Sequence, residues 1–285
     1  MWYNIYMKYQ IAKDKISIFD KDDFDPIHIL ECGQIFRYKK SGNGFVVYSQ
    51  NKLATIKTFD DHFEILTTDT AYFENFFDLK NDYSALKTRL SKQSETLKLA
   101  TEFGSGIRIL NQNPVEMIFS FIISSNNNIK RIQSLVEKLC QKCGTNMNGF
   151  YAFPTIDQIA TLSVDDLKQM GMGFRAKYIF ETAQALKKTD MSNWQNLNTQ
   201  ELLLELEKLS GVGPKVADCI ALFGYHKTDS FPVDTWVEKI YNNYFATTKE
   251  TNRDKIHKKL LDMFGADSGY AQQYLFYYIR EHDKK

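Results

Sequence analysis

The chain has 285 residues and a mass of 33.2 kDa, enough for two or three small domains sharing a substantial core. Its 36 Lys and Arg stand against 35 Asp and Glu, a formal net charge of +1, which excludes a global basic field; affinity for a polyanion must come from local patches. Four cysteines, Cys32, Cys140, Cys143 and Cys219, do not make a disulfide scaffold at this length, and no run of eighteen apolar residues could cross a membrane.

In chain order, Met1 to Lys15 lacks the charged start, apolar middle and small-residue cleavage site of a secretory signal, so a soluble intracellular protein, cytoplasmic or nuclear, is expected. To about Asp69, short apolar runs such as Ile16-Ser17-Ile18-Phe19, Gly44-Phe45-Val46-Val47-Tyr48 and Leu53-Ala54-Thr55-Ile56-Lys57 alternate with Ser-Gly-Asn-Gly and Asp-Asp clusters, the pattern of antiparallel strands and hairpins. Beyond Tyr72 the period becomes helical. The spacing predicts helices over 82–103, 114–123, 129–140, 156–170, 176–187 and 199–209, with short polar joints. The expected fold is α+β: an N-terminal antiparallel β-sheet domain with flanking helices over 1–112, then a mainly α-helical two-lobed domain over 113–285. Cys140 and Cys143 form a Cys-x-x-Cys without a second pair, so a zinc or redox role is the minor reading beside packing. Lys255, His257, Lys258 and Lys259 read as a solvated helix face.

Near 202–223 the sequence carries most of its chemistry. Leu202, Leu203, Leu206 and Leu209 recur at helical spacing before a turn punctuated by Gly211 and Gly213. Glycine there admits turn dihedrals closed to other residues and lets a ligand approach the backbone. Pro214 suits the first turn of a new helix, whose free amides attract an anion such as phosphate. A lone Gly-x-Gly is usually an ordinary turn. Lys215 shifts the balance, because it opens a segment that becomes apolar through Val216, Ala217, Ile220, Ala221, Leu222 and Phe223. A lysine drawn into such surroundings loses hydration, which favours the neutral amine, and neutral amines attack electrophilic carbon to form Schiff bases. Downstream, Asp234 follows Phe231-Pro232-Val233 and precedes a helical stretch. A helix N-cap accounts for an Asp there; a carboxylate held by amides also stays ionised and can face a developing cation.

The Leu-x-Gly-Val-Gly-x-Lys-Val-Ala-Asp-Cys turn over 209–219, with Pro-Val-Asp at 232–234, resembles the helix-hairpin-helix DNA glycosylases, specifically the 8-oxoguanine DNA glycosylases of the eukaryotic type. Three further blocks match in family order: Cys32-Gly33-Gln34-Ile35-Phe36-Arg37, the asparagine-rich stretch from Phe119 through Asn126-Asn127-Asn128 to Arg131, and Tyr270-Ala271-Gln272-Gln273-Tyr274-Leu275-Phe276. The chain has no C-terminal four-cysteine cluster like that of the iron-sulfur glycosylases.

The resemblance implies a monomer that acts on double-stranded DNA containing 8-oxoguanine, with no membrane association and no required cofactor. A stacked base cannot be reached by a side chain, so the nucleotide must be extruded and its gap filled. By resemblance Asn126 fills the gap, Arg131 and Arg175 hydrogen-bond the estranged cytosine, and Phe174 and Trp236 belong to the DNA-contacting set. Phe276 and Cys219 sandwich the flipped purine in a pocket to which Pro232 belongs, Gln272 binds its Watson-Crick edge, and the Gly33 carbonyl accepts the N7 hydrogen that guanine lacks. Lys215 attacks the sugar C1′ while Asp234 stabilises positive charge on the sugar; beta-elimination from the resulting Schiff base then nicks the strand. Flanking phosphates rest on the amides of Gly211, Gly213 and Lys215. No side-chain metal site is visible; the family hairpin often holds a cation on turn carbonyls, here those of Glu207, Leu209 and Val212.

Three positions depart from the eukaryotic pattern: Phe174 replaces a tyrosine, Trp236 a histidine and Ile279 an aspartate. The last two form a pair in the family, so their joint loss suggests a repacked apolar contact. These changes bear on how strictly cytosine is demanded opposite the lesion and leave a relaxed preference open. The other readings are a related hairpin glycosylase for another damaged base and a noncatalytic DNA-binding module.

Overall fold

A computed structural model describes residues 7–282. The stretch read for a leader falls partly on residues 1–6, outside that range. The fold is α+β, and contacts divide it into two compact units: one comprises the chain up to Val47, Leu53–Asn111 and the chain from His226 onward, the other Tyr48–Lys52 and Gln112–Tyr225. The segment after His226 thus groups with the sheet rather than with the helices that precede it in sequence.

The first unit is built on a six-stranded antiparallel sheet, β1 (Tyr9–Ala12), β2 (Lys15–Ile18), β3 (Tyr38–Ser41), β4 (Gly44–Ser49), β5 (Lys52–Thr58) and β6 (Phe63–Leu66), in the order β1-β2-β6-β5-β4-β3. Register pairs Ile16 with Ile65 and Ile18 with Phe63, so alternate residues point to one face. That face buries Ile16, Ile18, Val47, Ala54, Ile56 and Ile65, and the aromatic cluster Phe24, Phe73, Phe76 and Phe77 belongs to the same core. Each such Ile, Val or Phe side chain, fully withdrawn from water, contributes about 1.5–3 kcal/mol. The other face keeps polar pairs such as Lys15 with Glu64, 2.5 Å apart.

Around the sheet stand α1 (Pro26–Glu31), α2 (Thr70–Phe76), α3 (Tyr83–Ser91) and α4 (Glu95–Phe103). The predicted helix over 82–103 is two helices, because Ser94 accepts the Leu97 amide and starts a new one. The second unit holds α5 (Pro114–Ser124), α6 (Ile129–Cys143), α7 (Ile156–Ile159), α8 (Val164–Gln169), α9 (Arg175–Leu186), α10 (Thr199–Glu207) and α11 (Pro214–Gly224). Here too the stretch 156–170 divides, since Thr155 with Gln158 and Ser163 with Asp166 each form a capping box. The chain returns to the first unit with α12 (Thr235–Tyr244), α13 (Arg253–Phe264) and α14 (Ser268–His282); α14 packs on α4, α12 and α13. No helix among the described residues is long and apolar enough to cross a membrane.

Arg108 is the largest fully buried side chain of the first unit. Its Nε donates to the Phe77 carbonyl at 2.9 Å, and its terminal nitrogens donate to the carbonyls of Asp23, Asp78 and Asn81, while the guanidinium lies 3.9 Å from the Tyr83 ring centroid. Arg108→Met is therefore expected to cost about 3–5 kcal/mol in denaturant unfolding, because buried carbonyls lose their donor. A loss below about 1 kcal/mol would mean that water or neighbouring amides take over those acceptors.

Candidate functional site

Among α1 to α13, all but two helices begin with a side chain that accepts a first-turn amide. The exceptions are α9, which starts after Phe174, and α11, which starts after Gly213. Both lie in the second unit, and both carry residues singled out by sequence. The first amides of α9 already donate to the Met172 and Gly173 carbonyls, at 3.2 and 3.1 Å, so it is the start of α11 that suits an external anion, through its amide donors and the positive end of the helix dipole.

The turn before α11 is closed by the Val212 amide, which donates to the Leu209 carbonyl at 3.1 Å, and it passes through Gly211 at φ +81, a left-handed conformation that favours glycine. Pro214 takes the first helical position and Lys215 the second. Lys215 Nζ stands 5.7 Å from the centroid of Phe121 on α5, and that ring stacks on Phe223 at 5.7 Å. The apolar surroundings expected of this lysine are thus supplied by α5 as well as by its own helix, with Val216 and Ala217 buried behind it. Cys219, four residues on, shares the Lys215 face of α11 and is 4% exposed.

The asparagine-rich loop joins α5 to α6. Asn126 is exposed at φ +50, Asn127 Nδ2 donates to the Ile123 carbonyl at 3.1 Å, and Asn128 caps α6 by accepting the Arg131 amide at 3.0 Å. Arg175 is buried, and its guanidinium donates to the carbonyls of Ser125 and Asn126, the latter at 2.8 Å, so in this structure it clamps the loop. Burial and the nearby Arg131 charge both depress its pKa. Arg131 is exposed and donates to the Gly171 carbonyl at 3.3 Å. Phe174 is 53% exposed, with the Arg175 guanidinium 4.3 Å from its ring centroid. An exposed aromatic ring with a guanidinium against it is suited to stacking on a base.

The first unit carries the remaining predicted residues. Asp234 caps α12, its Oδ1 accepting the amides of Trp236 and Val237, both at 2.9 Å. Pro232 is buried, and Trp236 is half-buried with Lys239 Nζ 5.0 Å from its ring centroid. Ile279 is buried on α14, against which α12 packs. Gly33 has φ +94, and a methyl group built there would lie 3.5 Å from the Phe276 ring and 3.4 Å from Arg280, so Gly33 and Phe276 are neighbours. Gln272 is buried with its Oε1 unpartnered, an orphan acceptor of the kind a ligand can satisfy.

Gln34, next to Gly33, has a role that its place in the sequence does not announce. Its side chain donates to the Ile29 and Arg108 carbonyls at 2.9 and 2.8 Å and accepts the Leu110 amide at 2.9 Å, which holds the Gly33 turn in place. Gln273 assists by donating to the Cys32 carbonyl at 2.9 Å. Neither role carries a local signal, since the partners lie up to 241 residues away. Cys140 is buried on α6, and burial pushes the Cys143 thiol up to about 11, which lowers its reactivity as a free nucleophile. Among the described residues no group of three His, Cys, Asp or Glu is placed to hold a metal ion.

Comparison with known proteins gives a consistent result. Residues 16–118 match the N-terminal domain of 8-oxoguanine DNA glycosylase, and residues 119–265 match the HhH-GPD superfamily of base excision DNA repair proteins. A solved 8-oxoguanine glycosylase/lyase of Clostridium acetobutylicum, bound to double-stranded DNA with cytosine opposite 8-oxoguanine, is 34% identical with a TM-score of 0.90, covering 98% of this chain and 100% of that one. An N-glycosylase/DNA lyase of Arabidopsis thaliana is 34% identical over 70% of this chain and 57% of its own length. A probable N-glycosylase/DNA lyase of Methanothermobacter thermautotrophicus is 32% identical over 73% of each.

Proposed function

The chain belongs to the HhH-GPD superfamily of base excision DNA repair proteins, in its 8-oxoguanine DNA glycosylase branch, and from that membership we propose that it excises 8-oxoguanine from double-stranded DNA and cleaves the strand as a lyase. The observation that carries the reading is Lys215 at the second position of an uncapped helix, behind a glycine turn and over the Phe121 ring. The turn amides take a phosphate of the lesion strand. Lys215 Nζ attacks C1′ as the glycosidic bond breaks, and the bonding electrons leave with the base. The Asp234 carboxylate, whose Oδ1 accepts two amides of α12, stabilises the positive charge that develops on the sugar. The lysine-bound sugar opens to a Schiff base, and beta-elimination then breaks the strand on the 3′ side.

Base recognition falls to the first unit: Gly33 for the N7 hydrogen, Phe276 for the ring face, Pro232 for the pocket wall and the orphan Gln272 Oε1 for the Watson-Crick edge. The family resemblance assigns the other ring face to Cys219. Asn126 fills the gap left by the extruded nucleotide, Phe174, Arg131 and Arg175 meet the opposite strand, and the missing Phe174 hydroxyl loosens the demand for cytosine. In sequence the proposed division is a sheet domain over 1–112, which contributes Gly33, and a glycosylase domain over 113–285, whose part after His226 groups with the sheet unit. A cation on the Glu207, Leu209 and Val212 carbonyls would brace the turn and strengthen its phosphate grip. The Leu209 carbonyl, already accepting Val212, keeps a second lone pair for such an ion. A higher Tm in potassium chloride than in tetramethylammonium chloride checks this; equal values would remove the ion from the account.

Borohydride trapping tests the whole reading. An 8-oxoguanine duplex is expected to give a covalent adduct that Lys215→Gln does not form. Base release without an adduct would indicate a glycosylase that uses Asp234 and water, and binding with neither would leave a DNA-binding module.

A further inference from the structure

We infer that Tyr178 is a positioning residue that ties the opposite-strand reader to the hairpin carrying Lys215, an inference that rests on the proposed function for its catalytic consequence only. Every contact involved lies within the second unit. At the start of α9 the exposed Phe174 ring is met edge-on by Tyr178, centroids 6.0 Å apart and planes at 78°. On its other side Tyr178 presses on the hairpin: a methyl group built on Gly211 would fall 2.7 Å from Tyr178 Cβ and Cγ and 2.8 Å from Cδ2. Nothing larger than glycine fits against that ring, whatever the backbone angle. One turn further along α9, Thr182 Oγ1 donates to the Ser210 carbonyl at 2.8 Å, and Ser210 Oγ donates to the Glu181 carboxylate at 2.6 Å.

Residues 174, 178, 181 and 182 fall on one helix face, by the i, i+4, i+7, i+8 spacing. The adjoining Arg175 holds the Ser125 and Asn126 carbonyls. A single helix therefore touches the asparagine loop, the exposed ring and the turn that precedes the nucleophile. Close-packed contacts of this kind transmit a displacement instead of absorbing it. A partner base that shifts Phe174 or Arg175 moves Tyr178, and Tyr178 moves Gly211, four residues before Lys215. Tyr178 thereby sets how strongly the opposite base governs the reaction at the lesion.

Two measurements on Tyr178→Ala and Tyr178→Phe test this. In the free protein, amide hydrogen exchange over 209–216 is expected to rise several-fold in the alanine variant and to return toward wild type with phenylalanine, which keeps the ring. In single-turnover excision, the ratio of rates opposite cytosine and opposite adenine is expected to fall by about fivefold or more with alanine and to persist with phenylalanine. Unchanged exchange overturns the inference, because the ring then does not hold the turn. Raised exchange with an unchanged rate ratio, or equal slowing opposite all four bases, overturns the coupling and reduces Tyr178 to support for the hairpin. A wild-type protein that excises nothing overturns the proposed function, a result distinct from either. Should the alanine variant not fold, Tyr178→Leu, which keeps bulk but removes the ring that meets Phe174, carries the same expectation for the rate ratio.

Discussion

Replacing Lys215 by glutamine is expected to lower 8-oxoguanine release by about 10⁴- to 10⁶-fold, the range over which enzymes lose turnover when a member of a nucleophilic catalytic set is removed. Glutamine keeps the length and helix propensity of the position but offers an amide nitrogen whose lone pair is delocalised, so neither C1′ attack nor a Schiff base is available. Stability should stay within about 0.5 kcal/mol of wild type. DNA binding should persist, because the turn around Gly211 and Gly213 and the uncapped start of α11 take the phosphate. Single-turnover base release alongside a binding titration separates these effects. A variant that still releases the base at a tenth of the wild-type rate would remove Lys215 from the chemistry.

The second large effect concerns Asp234, where a structural and a chemical role coincide on one carboxylate. Its Oδ1 accepts two amides of α12, which accounts for the residue as a cap. Asparagine presents an equivalent acceptor, so Asp234→Asn should change stability by only a few tenths of a kcal/mol, whereas Asp234→Ala should cost about 1 kcal/mol. Both remove the negative charge, and both are expected to slow excision by about 10²–10³-fold, the range seen when a preorganised electrostatic partner of a transition state is lost. Rates and Tm measured on the two variants together decide the matter. If Asp234→Asn excises at the wild-type rate, the carboxylate is a cap and nothing more.

What could be read without coordinates was whatever is written locally. The alternation in Gly44-Phe45-Val46-Val47-Tyr48 placed β4, the helical spacing over 114–123 and 129–140 placed α5 and most of α6, and Gly211-Val212-Gly213-Pro214 placed the turn. The division of 82–103 was missed although its signal, Ser94, is local; the apolar period runs on past the cap and hides it. Gln34, Arg108 and Tyr178 could not be given roles, because each acts through partners distant in sequence. Tyr178 does sit four residues after Phe174, a helical spacing that hints at ring contact, yet nothing in the spacing announces Gly211 on its far side.

The sequence by itself determined the chemistry on offer: an amine beside a glycine turn, a carboxylate at a helix start, a glycine and a glutamine in the blocks that match a base pocket. These are properties of residue types and short spacings, governed by dihedral freedom, capping and amine reactivity. Tertiary structure alone decided that the segment after His226 joins the sheet unit and that Gly33 lies against Phe276. It also decided that Arg175 clamps the asparagine loop and that α9 spans from that loop to the hairpin. Such pairings depend on burial and close approach between segments far apart in the chain, where packing selects one arrangement from many that local propensity permits equally well.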